Sequence, residues 1–376
     1  MVNKTNLLNL GHSELEKFCI SLGEKSFRSK QILKWIYSRG VTNFDLMTDL
    51  GKTLRKKLSK YSIIKFPKVF SFHQSSDGTR KWLLEIDGGD LIETVFIPEK
   101  NRGTLCISTQ AGCNVSCLFC STGKQGFSRN LNLSEIISQV WIAESNLRLD
   151  NKALKVPIDG SYITNVVFMG MGEPLLNYSN TKKTLELLLS DYSYGLSKRK
   201  VTISTSGIVP FIDKLAKDNP VSLAVSLHAS NDNLRDKLVP INKKYPLKEL
   251  INSCIRYLDH APRRNITFEY CLIDNINDSK SHAKELVALI KDIPCKLNII
   301  PFNSFKDSVL NSPSKLKQKI FSEIITESGK IVTIRKTRGT DIDAACGQLA
   351  GKIDDITNLL HKNEARKKYV ILRNEK

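Results

Sequence analysis

No stretch of this chain is apolar for long enough to span a bilayer, and Met1-Val2-Asn3-Lys4-Thr5 opens no apolar run of the secretory kind. A membrane partner and an export route are not expected. Acidic residues are in short supply: 38 Asp and Glu face 57 Lys and Arg, a formal net charge of +19. That excess points to a polyanionic partner, with RNA or DNA ahead of an acidic membrane surface. A lysine-rich solvated surface would give the same sum, so the charge supports this reading without deciding it. No G-x-G-x-x-G opens a helix after a first strand, which argues against a dinucleotide-binding sheet. The nine cysteines are an odd count in a chain with no export signal. A disulfide framework is therefore not expected, and a reducing cytoplasm fits them best. At 376 residues and 41% hydrophobic, the chain has material for one large domain with a proper core plus a smaller one.

What is present is organised around Gly112-Cys113-Asn114-Val115-Ser116-Cys117-Leu118-Phe119-Cys120-Ser121-Thr122-Gly123. Three cysteines stand at C-x3-C-x2-C, flanked by glycines, with an aromatic just before the last thiol. Thiolates this close can share one soft inorganic centre, and cysteine is the usual ligand of iron–sulfur clusters. A cubane cluster has four irons, so three local cysteines leave one iron open to a substrate or cofactor. The plain alternative is a zinc knuckle. Zinc fingers favour paired C-x2-C units, however, and the chain holds no second pair and no C…H-x3-H partner. An open iron–sulfur site is the better reading.

In chain order, residues 1–65 read as a small helical accessory module. Ser13-Glu14-Leu15-Glu16 is a capping-box pattern with Gly23 as its stop; residues 31–37 carry apolar side chains at helical spacing up to Gly40; a third helix is expected over 50–58. Lys52, Arg55, Lys56, Lys57, Lys60, Lys65 and Lys68 occur with no acidic residue between them, which suits a solvated face and a phosphate contact equally. Residues 66–98 are a β-rich linker, a hairpin or small meander, with runs at 69–73, 80–86 and 90–97 and a turn at Asp87-Gly88-Gly89. From about residue 99 to 340 strands alternate with helices. The strands are expected at 104–108, 165–169, 201–204, 223–227, 267–272 and 297–300, and helical stretches at 134–148, 181–189, 247–258 and 279–290 among others. Repeated βα units imply a parallel α/β sheet, either an incomplete barrel or an open doubly wound sheet. In parallel barrels chemistry sits on loops at the C-terminal strand ends. The cysteine loop, Gly170-Met171-Gly172-Glu173-Pro174, Ser204-Thr205-Ser206-Gly207, Ser226-Leu227-His228 and Pro301-Phe302-Asn303 all fall at such exits.

The cysteine motif resembles the signature of the radical S-adenosylmethionine (SAM) enzymes. The stretch from Arg102-Gly103-Thr104-Leu105-Cys106 through Cys120 to Gln125-Gly126-Phe127 closely resembles the RlmN family, which methylates C2 of adenine in ribosomal and transfer RNA. The resemblance implies the partial (β/α)6 TIM-like barrel of the radical SAM core. It implies one [4Fe-4S] cluster on Cys113, Cys117 and Cys120, with SAM on the open iron and two SAM consumed per turnover. Gly172 and Glu173 resemble the glycine–glutamate motif that holds the amino group of SAM, and a carboxylate pairs naturally with an ammonium. Ser204, Ser226, Leu227, His228 and Asn303 match the family's remaining SAM contacts, though a lone His or Asn is more often structural.

Cys346, in Asp341-Ile342-Asp343-Ala344-Ala345-Cys346-Gly347-Gln348-Leu349, matches the family's methyl-carrying cysteine on the C-terminal segment 341–376. Cys106 matches its second catalytic cysteine, and Glu93, in Leu91-Ile92-Glu93-Thr94-Val95, its proposed proton acceptor. From the residues alone, Cys346 would be a small apolar group and Glu93 a strand carboxylate facing solvent. Cys19, Cys254, Cys271 and Cys295 match nothing and read as structural. The implied chemistry answers a physical problem, because adenine C2 is electron-poor and cannot simply attack an electrophilic methyl group. One SAM methylates the Cys346 thiolate, and a second is reductively cleaved to a radical that takes hydrogen from that methyl. The resulting carbon radical adds to C2, Glu93 or a nearby base removes the C2 proton, and Cys106 attacks Cys346 to release the product through a transient disulfide. The implied substrates are adenine 2503 in the peptidyl-transferase centre of 23S rRNA and adenine 37 in tRNA. A flavodoxin-type reductant and a monomeric enzyme complete the expectation. Rivals are Cfr-type methylation of adenine C8, a non-catalytic iron–sulfur RNA-binding or electron-transfer protein, and a radical SAM enzyme acting on a small molecule. Cys346 and the motifs at several strand exits weigh against the second, and the charge weighs against the third.

Overall fold

The computed structural model describes residues 4–150, 161–305 and 308–351. Residues 352 onward of the segment 341–376 lie outside the described residues.

The N-terminal module comprises β1 (Thr5–Asn6), α1 (His12–Ser21), α2 (Arg28–Leu33), α3 (Lys52–Tyr61) and β2 (Ser62–Ile63). Leu15 and Cys19 on α1 and Leu54 and Leu58 on α3 point inward at four-residue spacing, so each helix buries one stripe. β1 pairs in parallel with β2, which brings the module's two ends together. The cap of α1 lies two residues earlier than the sequence pattern suggests. Gly11 is the N-cap and donates its N–H to the Glu14 carboxylate at 2.8 Å. Gly23, at φ +75°, ends the helix region. The module is seated on the core by Trp141, which donates to the Ile36 carbonyl, and by the Asn9 side chain, which accepts from Ser134 N–H.

One ten-stranded sheet follows. β3 (Lys68–Gln74), β4 (Arg80–Glu85), β5 (Leu91–Glu99) and β6 (Arg102–Cys106) are successive antiparallel neighbours. The hairpin of β7 (Gln110–Gly112) and β8 (Phe127–Asn130) brackets the cysteine loop and the short α4 (Ser121–Gln125). The alternating run is α5 (Leu133–Leu149), β9 (Asn165–Phe168), α6 (Tyr178–Leu189), β10 (Val201–Thr205), α7 (Val209–Asp218), β11 (Ser222–Ser226), α8 (Asp232–Leu238), α9 (Leu247–Leu258), β12 (Ile266–Leu272), α10 (Lys280–Ile290), β13 (Cys295–Pro301), α11 (Lys315–Glu327) and β14 (Ile331–Ile334). The strand order is β14-β13-β12-β11-β10-β9-β6-β5-β4-β3, parallel from β14 to β6. This is the α/β partial barrel, open between β14 and β3, with helices on its outside.

Two features go beyond the sequence reading. The stretch 66–98 forms the expected small meander, and its three strands also continue the sheet of the core, with Val95 on β5 opposite Cys106 on β6. A seventh parallel strand, β14, was not expected. It is four residues long, largely exposed and begins just after Lys330, so it lacks the apolar run that marks a doubly covered strand. The inner strands carry that run: Leu223, Ala224 and Val225 on β11 are all buried. On β12 the alternation sends Phe268 and Tyr270 toward the helices, Tyr270 meeting Phe321 of α11, and leaves Glu269 facing the interior.

After β14 the chain turns back across the open side of the barrel. Gly339 N–H donates to Asp77 (3.1 Å), Ser76 N–H to Asp341 (3.1 Å) and the Lys81 ammonium to the Asp343 carbonyl (3.3 Å). Residues 335–351 thus run from the β14 edge to the antiparallel strands at the other edge.

Candidate active site

The parallel strands end on one face, and their exit loops meet there. Cys113, Cys117 and Cys120 are partly exposed thiols in the loop after β7. The Cys113 N–H donates to the Gly126 carbonyl at 2.7 Å and the Leu118 N–H to Leu238 at 3.0 Å, which pins the loop at both ends. Burial pushes the Cys113 thiol well up, and the charges of Cys117 and Cys120 push it further. Among the described residues no His, Cys, Asp or Glu trio is gathered tightly enough for a single metal ion. The thiols are nonetheless near enough to feel one another's charge. Three such cysteines can each hold one iron of a [4Fe-4S] cube. A cationic inorganic centre would also relieve three mutually repelling thiolates.

Beside this loop, the β9 exit needs glycine. A Cβ on Gly172, at φ +95°, would stand 2.4 Å from Gln110 Cβ, and one on Gly170 would stand 2.6 Å from the Ile107 backbone. The close approach lets Glu173 N–H donate to Gln110 Oε1 at 2.8 Å. The Glu173 carboxylate is buried and accepts from Ser206 N–H (2.7 Å), Ser206 hydroxyl (2.8 Å) and Leu175 N–H (3.1 Å). Burial raises this carboxyl, the condition that a bound ammonium reverses. Ser204 lies one strand along and donates to Glu269 Oε2 at 3.3 Å.

Leu227 and the backbone around it are fixed by Arg235, a fully buried guanidinium of α8. It donates to the carbonyls of Leu227 (3.0 Å), Ser226 (2.9 Å) and Ser206 (2.7 Å) and to Asn242 (2.8 Å). Burial lowers Arg235 to about 10. His228 has φ +60°, accepts the Cys271 N–H on Nδ1 at 2.8 Å and lies edge-on to Phe119 at 4.5 Å. Its Nε2 is therefore the protonated nitrogen of the neutral ring. Burial, with the Arg235 charge, lowers it to about 3.

The strap 335–351 delivers the remaining candidates. Cys346 is partly exposed, with Arg335 Nη1 at 3.6 Å from its sulfur. Asn303, at the β13 exit, donates to the Cys346 carbonyl at 3.1 Å. Cys106, at the end of β6, is raised by burial and then by the Cys346 charge, and neither cysteine is in a disulfide. The strap is tied to the cysteine loop as well: Ser121 N–H donates to Gly347 and Thr122 hydroxyl to Leu349. Glu93 is not a solvent-facing carboxylate. It is buried on β5, 3.0 Å from the Lys81 ammonium, and accepts the Ala350 N–H at 2.9 Å. Cys271 is buried in an apolar cluster on β12, and burial raises its thiol, with the charges of Cys120, Cys346 and Cys117 adding to the shift. Cys19, Cys254 and Cys295 are buried away from the mouth among apolar residues.

Sequence reasoning did not find Gln110, Ser206, Arg235, Glu269, Lys81 or Arg335. Ser206 lay inside a quoted motif, and the others carry no spacing signal.

The chain spans 99% of a crystal structure of a radical SAM methyltransferase from Sphaerobacter thermophilus, with 92% of its own length aligned, 40% identity and a TM-score of 0.83. This chain belongs to the RlmN family of radical SAM methyltransferases. Residues 5–64 match the ribosomal RNA large subunit methyltransferase N-terminal domain and residues 107–287 the radical SAM superfamily. Two remoter likenesses are a domain of the pyruvate-formate lyase-activating enzyme from Bacteroides vulgatus (17% identity, 46% of this chain and 99% of that one, TM-score 0.36) and Streptococcus suis SuiB (15% identity, 62% of this chain and 49% of that one, TM-score 0.43). As a family member the chain is a SAM-dependent radical RNA methyltransferase that uses a [4Fe-4S] cluster. Among the described residues no helix is long and apolar enough to cross a membrane.

Proposed function

We propose that this enzyme methylates C2 of adenine in 23S rRNA and in tRNA, with Cys346 as the methyl carrier. Cys113, Cys117 and Cys120 hold the cluster, and Gly172, Glu173, Ser204, Ser226, Leu227, His228 and Asn303 surround SAM. When bound, these groups supply an electron-driven abstraction of hydrogen from a methyl carbon. The chain's own residues do the rest. Cys346 receives the methyl on its sulfur and presents it at the mouth. Glu93 accepts the C2 proton. Cys106 attacks the Cys346 sulfur, whose bond to the transferred carbon breaks; that carbon takes up a proton to become the methyl group, the adduct gives up its unpaired electron, and the two cysteines stay joined until a reductant separates them. A flavodoxin-type donor fits that need, and the enzyme works as a cytoplasmic monomer.

The observation that supports this reading is the strap that holds Cys346 at the barrel mouth, tied to the cysteine loop through Gly347 and Leu349 and to the β13 exit through Asn303. An electron carrier has no use for two further cysteines of this kind, and the net charge of +19 weighs against a small-molecule substrate. The base must be unstacked or offered from a loop to reach them. The test is mass spectrometry of nucleosides from large-subunit RNA and tRNA after anaerobic reaction with reconstituted enzyme, SAM and a reductant. Appearance of 2-methyladenosine is expected. Appearance of 8-methyladenosine would keep the carrier and overturn the regiochemistry, and absence of both would overturn the RNA substrate.

A further inference from the structure

Arg335 is the first residue after β14, and its placement gives that exposed strand a purpose. Its N–H donates to the Ile299 carbonyl at 2.9 Å, so the backbone is locked to β13 at the mouth. Its side chain then reaches inward between two groups. Nη1 is 3.6 Å from Cys346 Sγ and 3.7 Å from Glu269 Oε1. Glu269 is buried on β12, and its Oε1 has no hydrogen bond of its own, so Arg335 is the cation that compensates it. The other oxygen accepts from Ser204. Arg335 is therefore held from behind by a fixed carboxylate and offers a donor to a sulfur in front. A nucleophile oriented by a second group that is itself oriented by a third is a recurrent arrangement.

We propose that Arg335 is a positioning residue for the Cys346 sulfur, which it aims at the mouth and holds ready as a nucleophile. The proposal rests on the methyl-carrier reading above. In the step it serves, the Cys346 thiol loses its proton to water and its sulfur lone pair forms a bond to the methyl carbon of a sulfonium donor. The donor's own carbon–sulfur bond breaks, and that electron pair stays on the departing thioether. The Arg335 guanidinium donates to the sulfur while it is anionic, and a hydrogen bond to a charged group of this kind is stronger than a neutral one. Arginine suits the place because it stays protonated beside two thiols and a carboxylate; the Cys346 charge, followed by those of Glu269 and Cys106, raises it further.

The test compares wild type with Arg335→Gln, Arg335→Lys and Glu269→Gln in the full chain. The first readout needs no bound group: alkylation of Cys346 by iodoacetamide under anaerobic reducing conditions, followed by peptide mass spectrometry. The second is single-turnover transfer of a methyl group from SAM to Cys346 in the reconstituted enzyme, with SAM binding measured in parallel. Arg335→Gln should slow both reactions about tenfold or more, Glu269→Gln should slow them less, and Arg335→Lys should recover most of the rate, with SAM affinity unchanged. Equal rates for Arg335→Gln and wild type in both readouts would overturn the proposal. So would a Lys variant as slow as Gln, since a merely structural role has no reason to favour a cation. If wild type itself takes no methyl on Cys346, the methyl-carrier reading fails instead, and the alkylation arm still judges the contact.

Discussion

The Glu93 carboxylate accepts the Ala350 N–H at 2.9 Å, four residues beyond Cys346, while its second oxygen lies 3.0 Å from the Lys81 ammonium. One buried ion pair on the antiparallel strands thus anchors the far end of the strap that carries the proposed methyl carrier. Breaking such a pair from one side leaves an uncompensated charge. Lys81→Met should lower stability by about 3 kcal/mol in chemical denaturation, and adding Glu93→Gln should restore part of the loss. A fully additive double variant would contradict this coupling.

Gly172 meets Gln110 so closely that no side chain fits. Gly172→Ala should reduce SAM binding at least tenfold in equilibrium dialysis, because the Glu173 N–H loses its bond to Gln110 when the loop shifts. Gln110→Ala in the same chain should bring no recovery, because alanine keeps the Cβ at 2.4 Å, leaves the φ of +95° and removes the Oε1 that accepts the Glu173 N–H. Unchanged SAM binding in Gly172→Ala would place SAM elsewhere.

His228 gives a pH dependence with a definite sign. Its folded pKa of about 3 lies below the ordinary 6.5, so under mild acid the unfolded chain takes a proton that the folded chain refuses. Its contribution to stability is complete above pH about 6.5 and falls away toward pH about 3. His228→Asn tolerates the positive φ and keeps an acceptor for the Cys271 N–H. Between pH 7 and pH 5 the variant should lose about 2 kcal/mol less than wild type, read from denaturant midpoints. Identical losses would show that His228 is protonated in the folded chain.

The two proposed working cysteines should fail differently. Cys346→Ala should abolish turnover and leave the cluster absorption intact. Cys106→Ala should still load methyl on Cys346 yet remain joined to RNA, visible as a protein band shifted by nuclease-sensitive mass. A Cys106 variant with normal yield and no adduct would remove Cys106 from the reaction.

The inner parallel strands were legible in the sequence because doubly covered strands must be continuously apolar, as 223–225 is, and because glycines and polar residues cluster where those strands end. β14 was not legible, since a short edge strand with exposed side chains needs no such run. The continuity of 66–98 with the barrel sheet was equally hidden: strand pairing across a turn is visible in alternation, whereas the neighbour beyond it is not. At the site, residues that belong to spaced motifs could be named in advance, and they meet on one face. Glu93 was misread as exposed because nothing in its strand announces that residues 335–351 will fold over it. Arg235, Glu269 and Arg335 stayed hidden for a related reason: a buried charge is recognised by its partners, and those of Glu269 lie far off in the chain, at Ser204 and Arg335, while Arg235 is held mostly by backbone carbonyls, which any residue offers.

The central claim is that the product's methyl carbon passes through Cys346. Enzyme first loaded with SAM bearing a trideuterated methyl group, then freed of excess SAM and chased with unlabelled SAM, RNA and reductant, tests it in one turnover. The account predicts that the first equivalent of 2-methyladenosine carries the deuterated carbon, short of one deuterium taken in the hydrogen abstraction. A first equivalent made wholly from the unlabelled SAM would contradict it.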